Sequence, residues 1–416
     1  MLLIFKLFKG IYGKFLGFFY KFKKFPGAVL SLALVSGLMN LSTAIIGSTA
    51  LDFFSSIGDT SFLIGIRSFS EGAGYIIKVL IGVMSDIAKQ RRLFLLVGYG
   101  CVLFIKPLFV LVSFNFFTNY IKSIIYCIAQ SSDRILNAAR DPARDSLIAD
   151  WTNKEDRLSA FSFRKFCSSL GSIFGGILVI ICLKYTSKYS IIYTIAAIPA
   201  FLSVFILYIY VKDNKNDKIT EKESWFSIKD LLLDKQSLKY YGIFMLTIFL
   251  LNFGKLNEVC LWKISTDIGY SHLNGYLYIL YYTIIAFSSY CIACFNVRNN
   301  LEIIIFCNLS LFFGNLIISY SNSIFTLLLG IVLYGIYNGI IENIISGMII
   351  TIFPKKNMRA TLFGIMNTIL GMSIFSSFLC VRYLLKSMHL KNIYFISTIP
   401  TIGSFIILLF LNKYFK

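Results

Sequence analysis

Residues 28–51 read AVLSLALVSGLMNLSTAIIGSTAL, twenty-four positions without a charge. A membrane-spanning helix needs about 20 such residues, because the hydrocarbon core is about 30 Å thick and a helix rises about 1.5 Å per residue. The next ten, 52–61 (DFFSSIGDTS), hold no Lys or Arg, and a second apolar run covers 62–84. Beyond it, 85–92 (SDIAKQRR) brings Lys89, Arg91 and Arg92 together. Loops rich in Lys and Arg resist translocation. The first loop therefore reads as external, the second as cytoplasmic, and the alternation continues along the chain. Most of the 40 Lys and Arg residues fall in the termini and in every second loop. Both termini are expected in the cytoplasm.

Bulk composition agrees. A chain of 416 residues that is 57% hydrophobic and 14% charged is not an ordinary soluble domain. Its formal charge of +20 sits beside apolar runs, where anionic lipid headgroups account for it. No basic, aromatic-interleaved soluble domain is present, so nucleic acid is not an expected partner. The nine cysteines are scattered through apolar segments, a distribution that suits neither a disulfide framework nor a zinc site. No metal or cofactor is expected. The excess of Ile, Lys, Asn, Phe and Tyr is the imprint of an AT-rich genome and points to a bacterial cytoplasmic membrane.

The apolar runs number twelve: 28–51, 62–84, 93–113, 120–136, 160–183, 189–211, 240–262, 273–295, 301–320, 324–351, 361–385 and 391–412. The expected fold is an all-α membrane protein of 12 transmembrane helices in two six-helix halves. Residues 1–25 alternate Lys6, Lys9, Lys14, Lys21, Lys23 and Lys24 with an aromatic stripe (Phe5, Phe8, Tyr12, Phe15, Phe19, Phe22), the pattern of a helix lying in the cytoplasmic interface. Residues 26–211 form the first half, 212–239 a central cytoplasmic loop, and 240–416 the second half. The loop at 152–161 recurs at 354–363, with Arg157 and Phe161 answered by Arg359 and Phe363. Halves repeated about an axis along the membrane normal are a transporter architecture.

These residues resemble the major facilitator superfamily of secondary transporters. Gly82, Ser85, Asp86, Arg91 and Arg92 are similar to its G-x-x-S-D-R-x-G-R-R signature, with Ile87 in place of the first Arg. Gly171, Gly175 and Gly176 resemble the antiporter signature's glycines without its proline. A bacterial branch with a D-R…R-x-P-x-R-D-x-L-I-A-D fourth loop is matched by Asp133, Arg134, Arg140, Pro142, Arg144, Asp145 and Leu147 to Asp150. Its third and tenth spans are matched by Gly98-Tyr99-Gly100, Lys106-Pro107, Tyr334-Gly335, Gly339 and Glu342. The resemblance implies alternating access for a small solute. It names no substrate.

Ionisable groups inside spans are costly and are functional candidates. In span two Arg67, Glu71 and Lys78 share one helical face, which reads as a substrate or proton site or as an ion-pair network fixing the packing. Span seven offers Asn252, Lys255 and Glu258, the last two close enough in sequence to neutralise one another. Span ten offers Tyr334, Asn338 and Glu342, and the 202-residue offset pairs Glu342 with Arg140 as either an inter-half contact or a proton carrier. Arg91, Arg92, Asp133, Arg134, Arg140, Arg144, Asp145, Asp150, Arg157, Arg164 and Arg359, with Asp86, read as a cytoplasmic rim. Its opposite charges can hold the inner face closed and exchange partners when the halves rock.

The leading expectation is a secondary active transporter of a small solute, working as a monomer in the lipid bilayer; proton coupling through Glu71, Glu258 or Glu342 is a subordinate expectation. A passive uniporter or exchanger, or a receptor that kept the fold, are the other readings. No phosphate-binding G-x-x-x-x-G-K-[ST] is present, and two peripheral histidines, His272 and His389, equip no intramembrane hydrolase. An enzyme is not expected.

Overall fold

The computed structural model describes residues 25–57, 91–114, 116–152, 156–186, 188–211, 235–294, 300–352 and 359–415, with Gly74 and Met84. The interfacial segment 1–24, nearly all of span two and most of the central loop lie outside the described residues.

In chain order the helices are α1 (Gly27–Ile57), α2 (Arg91–Gly100), α3 (Val102–Val112), α4 (Asn119–Asp150), α5 (Arg157–Tyr185), α6 (Tyr189–Tyr210), α7 (Lys235–Gly254), α8 (Glu258–Asp267), α9 (Asn274–Cys294), α10 (Asn300–Ser319), α11 (Ile324–Ile352), α12 (Arg359–Leu384), α13 (Leu390–Ile396) and α14 (Thr398–Phe415). Ten segments among the described residues are long and apolar enough to cross a membrane. Helix α4 is an eleventh crossing that its charges exclude from that set, and the expected span 62–84 would complete twelve. All-helical structure is what a bilayer demands, since a helix satisfies its backbone polar groups internally.

One expected span is interrupted, the seventh, at 255–257 between α7 and α8. Between α2 and α3, and between α13 and α14, Cys101 and Ser397 keep helical dihedrals, so the third and twelfth spans run on. The reverse correction applies to the fourth span. Residues 137–150, which read as a loop in the sequence, continue α4 as helix. At 32 residues it is about 48 Å long. Arg144 at i+3 from Asp141 closes an ion pair of 2.8 Å on that extension, the spacing that supports a helix outside the apolar zone.

The cores segregate by half. One buried cluster draws only on residues 241–408, among them Phe244, Tyr281, Tyr334 and Tyr394. Two others draw on the first half, and Tyr290 of α9 is the visitor in one of them. Within the first half, α1 and α5 run side by side so closely that a Cβ on Gly171 would lie 2.0 Å from the Gly37 carbonyl oxygen. Small residues permit such approach, and van der Waals contact drives it where lipid removes the hydrophobic incentive. Large apolar side chains such as Phe104, Phe205, Phe325 and Phe410 point outward, as a lipid-facing surface requires.

Candidate functional site: the seam and the broken seventh span

The bundle has two chemically distinct ends. A basic end holds Arg91, Arg144 and the start of α5, and a far end holds Asp267, Asn274 and the start of α11. The two halves meet along α5 and α9. Near the far end a Cβ on Gly176 would sit 3.2 Å from the Tyr278 ring. Toward the basic end Phe166 packs on Tyr290 at 6.2 Å between centroids. Beside that contact Lys165 of α5 makes an ion pair with Glu342 of α11. The Glu342 side chain is 57% accessible, so the pair is open to solvent. Glu342 is thus an inter-half contact, but its partner is Lys165 rather than Arg140. Arg164, one residue earlier, lies 3.7 Å from Asp145 of α4.

The second feature is the break in span seven. Gly254 ends α7, and the Asn257 side chain caps α8 by accepting from the Val259 N–H at 3.1 Å. An Asn at this position stands in for the missing helical carbonyl. The freed backbone is met by neighbours. Leu256 N–H donates to the Tyr334 hydroxyl at 3.4 Å, and Asn315 Nδ2 donates to the Gly254 carbonyl at 3.0 Å. Tyr334 in turn donates to Asn315 Oδ1. Non-helical backbone at membrane depth is tolerated where protein or a wet cavity satisfies it, and transporters use such breaks at their binding sites.

Glu258 stands at the first position of α8. Its Oε1 accepts from the Tyr281 hydroxyl at 3.4 Å and its Oε2 from Tyr282 at 3.2 Å. Asn338 Nδ2 donates to the Tyr281 oxygen at 2.6 Å and to the Tyr334 carbonyl at 3.1 Å. No ion pair joins Lys255 and Glu258 among the described residues, so the local neutralisation expected from their spacing is not seen there; the charge of Lys255 bears on Glu342. Asn252 bonds only back to the Ile248 carbonyl, at 3.0 Å.

The first half treats charge differently. Lys106 of α3 and Asp133 of α4 form a pair at 3.1 Å with side chains 1% and 4% exposed. Asp133 therefore lies inside the bundle, not on the rim, because it is only fourteen residues from the far-end start of α4 (about 21 Å). Arg140 is buried with its guanidinium 4.3 Å from the Tyr99 ring centroid. Arg144 joins Asp141 and Asp145 at 2.8 and 3.0 Å, and Arg92 donates to the Tyr208 carbonyl at 2.9 Å. Arg91 opens α2 at the same end, and Arg134 neighbours Lys106. Arg67, Glu71, Lys78, Gly82, Ser85 and Asp86 lie outside the described residues. Pro142, Asp150, Arg157 and Arg359 are placed on helices by backbone alone.

Sequence reasoning missed Lys106, Lys165, Tyr281, Tyr282 and Asn315 as site residues. The two lysines carried a usable signal, since each is an ionisable group inside an apolar run. The tyrosines and the asparagine carried none among the 25 Tyr of the chain.

Two bundles of membrane-crossing helices, a polar seam between them and a broken helix beside it define a polytopic protein built for passage or sensing across a bilayer. The chain belongs to the Major Facilitator Superfamily, whose family model matches residues 27–295. An uncharacterized MFS-type transporter of Methanocaldococcus jannaschii is 27% identical over 197 residues, covering 46% of this chain and 47% of that protein. The chain thus spans about half the length of this curated relative. Among solved structures, the human organic anion transporter MFSD10 (TETRAN) superposes with a TM-score of 0.68 at 14% identity, over 92% of this chain and 99% of that one. FucP in the outward conformation gives 0.64 at 14% identity, over 92% and 99%. A variant of the E. coli fucose:proton symporter FucP gives 0.65 at 13%, over 92% and 98%. These likenesses show the fold of 12 helices in two halves.

Proposed function

We propose that the chain is a secondary active transporter of a small solute, working by alternating access of its two halves and coupled to protons. It acts as a monomer in a bacterial cytoplasmic membrane with both termini in the cytoplasm, and belongs to the branch whose fourth span carries the Asp133-Arg134…Arg144-Asp145 pattern. The halves are 26–211 and 240–416, joined by the loop 212–239. The basic end is the cytoplasmic one, as the Lys and Arg bias requires.

The observation that carries this reading is the Lys165–Glu342 pair across the seam. Beside the packing of Gly176 on Tyr278 and of Phe166 on Tyr290, this pair is a charged contact between the halves. A solvent-reachable ion pair there is worth little, roughly 0.2–1 kcal/mol, so it opens and closes at small cost as the halves rock. Glu342 and Glu258, with Glu71 of span two, are the carboxylates proposed for proton coupling. The Arg–Asp contacts of α4 and α5, with Asp86, Arg157 and Arg359, form the cytoplasmic gate. Arg67 and Lys78, with Asn252, Lys255, Tyr334 and Asn338, line the pathway.

The test is flux in proteoliposomes. Solute-dependent dissipation of an imposed pH gradient is expected in the wild type and is expected to be lost in at least one of Glu71→Gln, Glu258→Gln and Glu342→Gln. Undiminished dissipation in all three removes these carboxylates from coupling. A wild-type protein that moves no solute from a metabolite panel removes transport itself.

A further inference from the structure

The carboxylate of Glu258 is walled by aromatic rings and has no cationic partner among the described residues. Trp262 lies 6.1 Å from Tyr278 and 6.0 Å, edge-on, from Tyr281. Tyr282 lies 4.6 Å from Tyr278 and 5.3 Å from Tyr281. Tyr278 and Tyr282 are only partly buried, and Tyr278 faces the inter-half seam at Gly176. Among the described residues the side-chain partners of the carboxylate are the Tyr281 and Tyr282 hydroxyls alone. Each carboxylate oxygen has two acceptor positions, so one on each remains open.

A charge left like this in a membrane protein is costly unless something neutralises it. Lys255 makes no ion pair with Glu258 among the described residues, and Glu342 has Lys165. The chemistry left over is one carboxylate beside the partly exposed rings of Tyr278 and Tyr282. Free hydrogen-bond donors are scarce, because the Tyr281 hydroxyl is committed to Glu258 and to Asn338. That set suits neither a sugar, which needs many donors and acceptors, nor an anion. It suits a cation, which ring faces attract through their quadrupole.

We propose that Glu258, Tyr278, Tyr282 and Trp262 form a binding site for an organic cation, an amine or quaternary ammonium compound of small size. Carriage of the bound cation across the membrane rests on the transport reading, since Tyr278 packs against Gly176 at the seam between the halves. Binding itself does not require transport.

The experiment is calorimetric titration of the purified full chain in lipid nanodiscs with benzyltrimethylammonium, with phenylacetate and benzyl alcohol as anionic and neutral counterparts. Saturable binding of the cation alone is expected, weakened roughly tenfold or more by Glu258→Gln, which removes the charge that assists the contact. Asp267→Asn removes an equal charge from the other end of α8 and should leave the affinity unchanged. Tyr278→Ala, at a partly exposed ring, provides a second variant should Glu258→Gln not purify as a single species, and it too should weaken binding. No binding of the cation to the wild type overturns the site, as does equal binding of phenylacetate or an unchanged affinity in both variants. Cation binding without flux of any solute in proteoliposomes would keep the site and remove the transport reading. Flux that persists in Glu258→Gln, with no cation bound by the wild type, would do the reverse.

Discussion

The two halves share a fold and handle buried polarity in opposite ways. The first half sinks full charges into its packing and pairs them at once: Lys106 with Asp133, Arg144 with Asp141 and Asp145, Arg140 against the Tyr99 ring. The second half is held by neutral groups. Asn315, Tyr334, Asn338 and Tyr281 make a chain of hydrogen bonds around the break in span seven, and Asn308 reaches Ser404 at 2.8 Å. Its one charged member, Glu258, ends that chain without a counter-charge among the described residues. The buried Lys106–Asp133 pair of the first half reads as scaffold. Charge left over in the second half reads as a place for something else to bind.

The contrast can be broken most sharply at Asp133. Asp133→Ala leaves the Lys106 ammonium buried and alone, and a loss of about 3–5 kcal/mol is expected, seen as failure to purify or a large fall in the thermal midpoint. Replacing both partners by apolar residues, Lys106→Met with Asp133→Leu, should recover most of that loss. If the double variant is as damaged as the single one, the pair is functional rather than scaffold. Next comes Tyr334→Phe, which strips a partner from both the Leu256 N–H and Asn315 Oδ1. Denaturant unfolding in detergent should show a loss of about 1–3 kcal/mol. Gly171→Ala tests packing without polarity. Its new Cβ meets the Gly37 carbonyl oxygen at 2.0 Å, so α1 and α5 must part at a cost of roughly 1–3 kcal/mol, read in the thermal midpoint.

The smallest effect on stability, and the most telling on function, is expected at the seam. Glu342→Gln should shift stability by no more than ~0.2–1 kcal/mol, because that side chain is more than half accessible and its pair is screened. Solute flux should change by far more than stability does. A charge-reversed double variant, Lys165→Glu with Glu342→Lys, should restore flux if the pair serves as a latch. Unchanged flux in the single variant would make the seam as structural as the Lys106–Asp133 pair.

Much of the fold was legible in sequence because lipid imposes so few solutions. Apolar run length and the Lys and Arg bias depend on transfer energies that each segment feels for itself. The misreadings have one cause. Residues 137–150 read as a loop since they are too polar to insert, yet helix formation does not require burial in lipid, and ion pairs such as Arg144–Asp141 carry α4 onward. The break in span seven falls on Lys255-Leu256-Asn257-Glu258, whose polarity reads as charge inside a span rather than as an end of helix. Glu342 stands out in the sequence as a charge out of place. Its partner does not, because a sequence offset reports symmetry of the halves, not distance across them.

The amino-acid order alone settled that this chain crosses a bilayer many times, as helices, in two related sets, with costly ionisable groups among them. Each of those properties is local: a run of side chains either partitions into hydrocarbon or stays out. Tertiary structure decided which of those groups neutralise each other and which do not. Lys106 meets Asp133 across two helices, Lys165 meets Glu342 across two halves, and Glu258 meets two tyrosine hydroxyls. Electrostatic pairing depends on separations of a few ångströms between residues far apart in the chain, and only the packed bundle sets those separations.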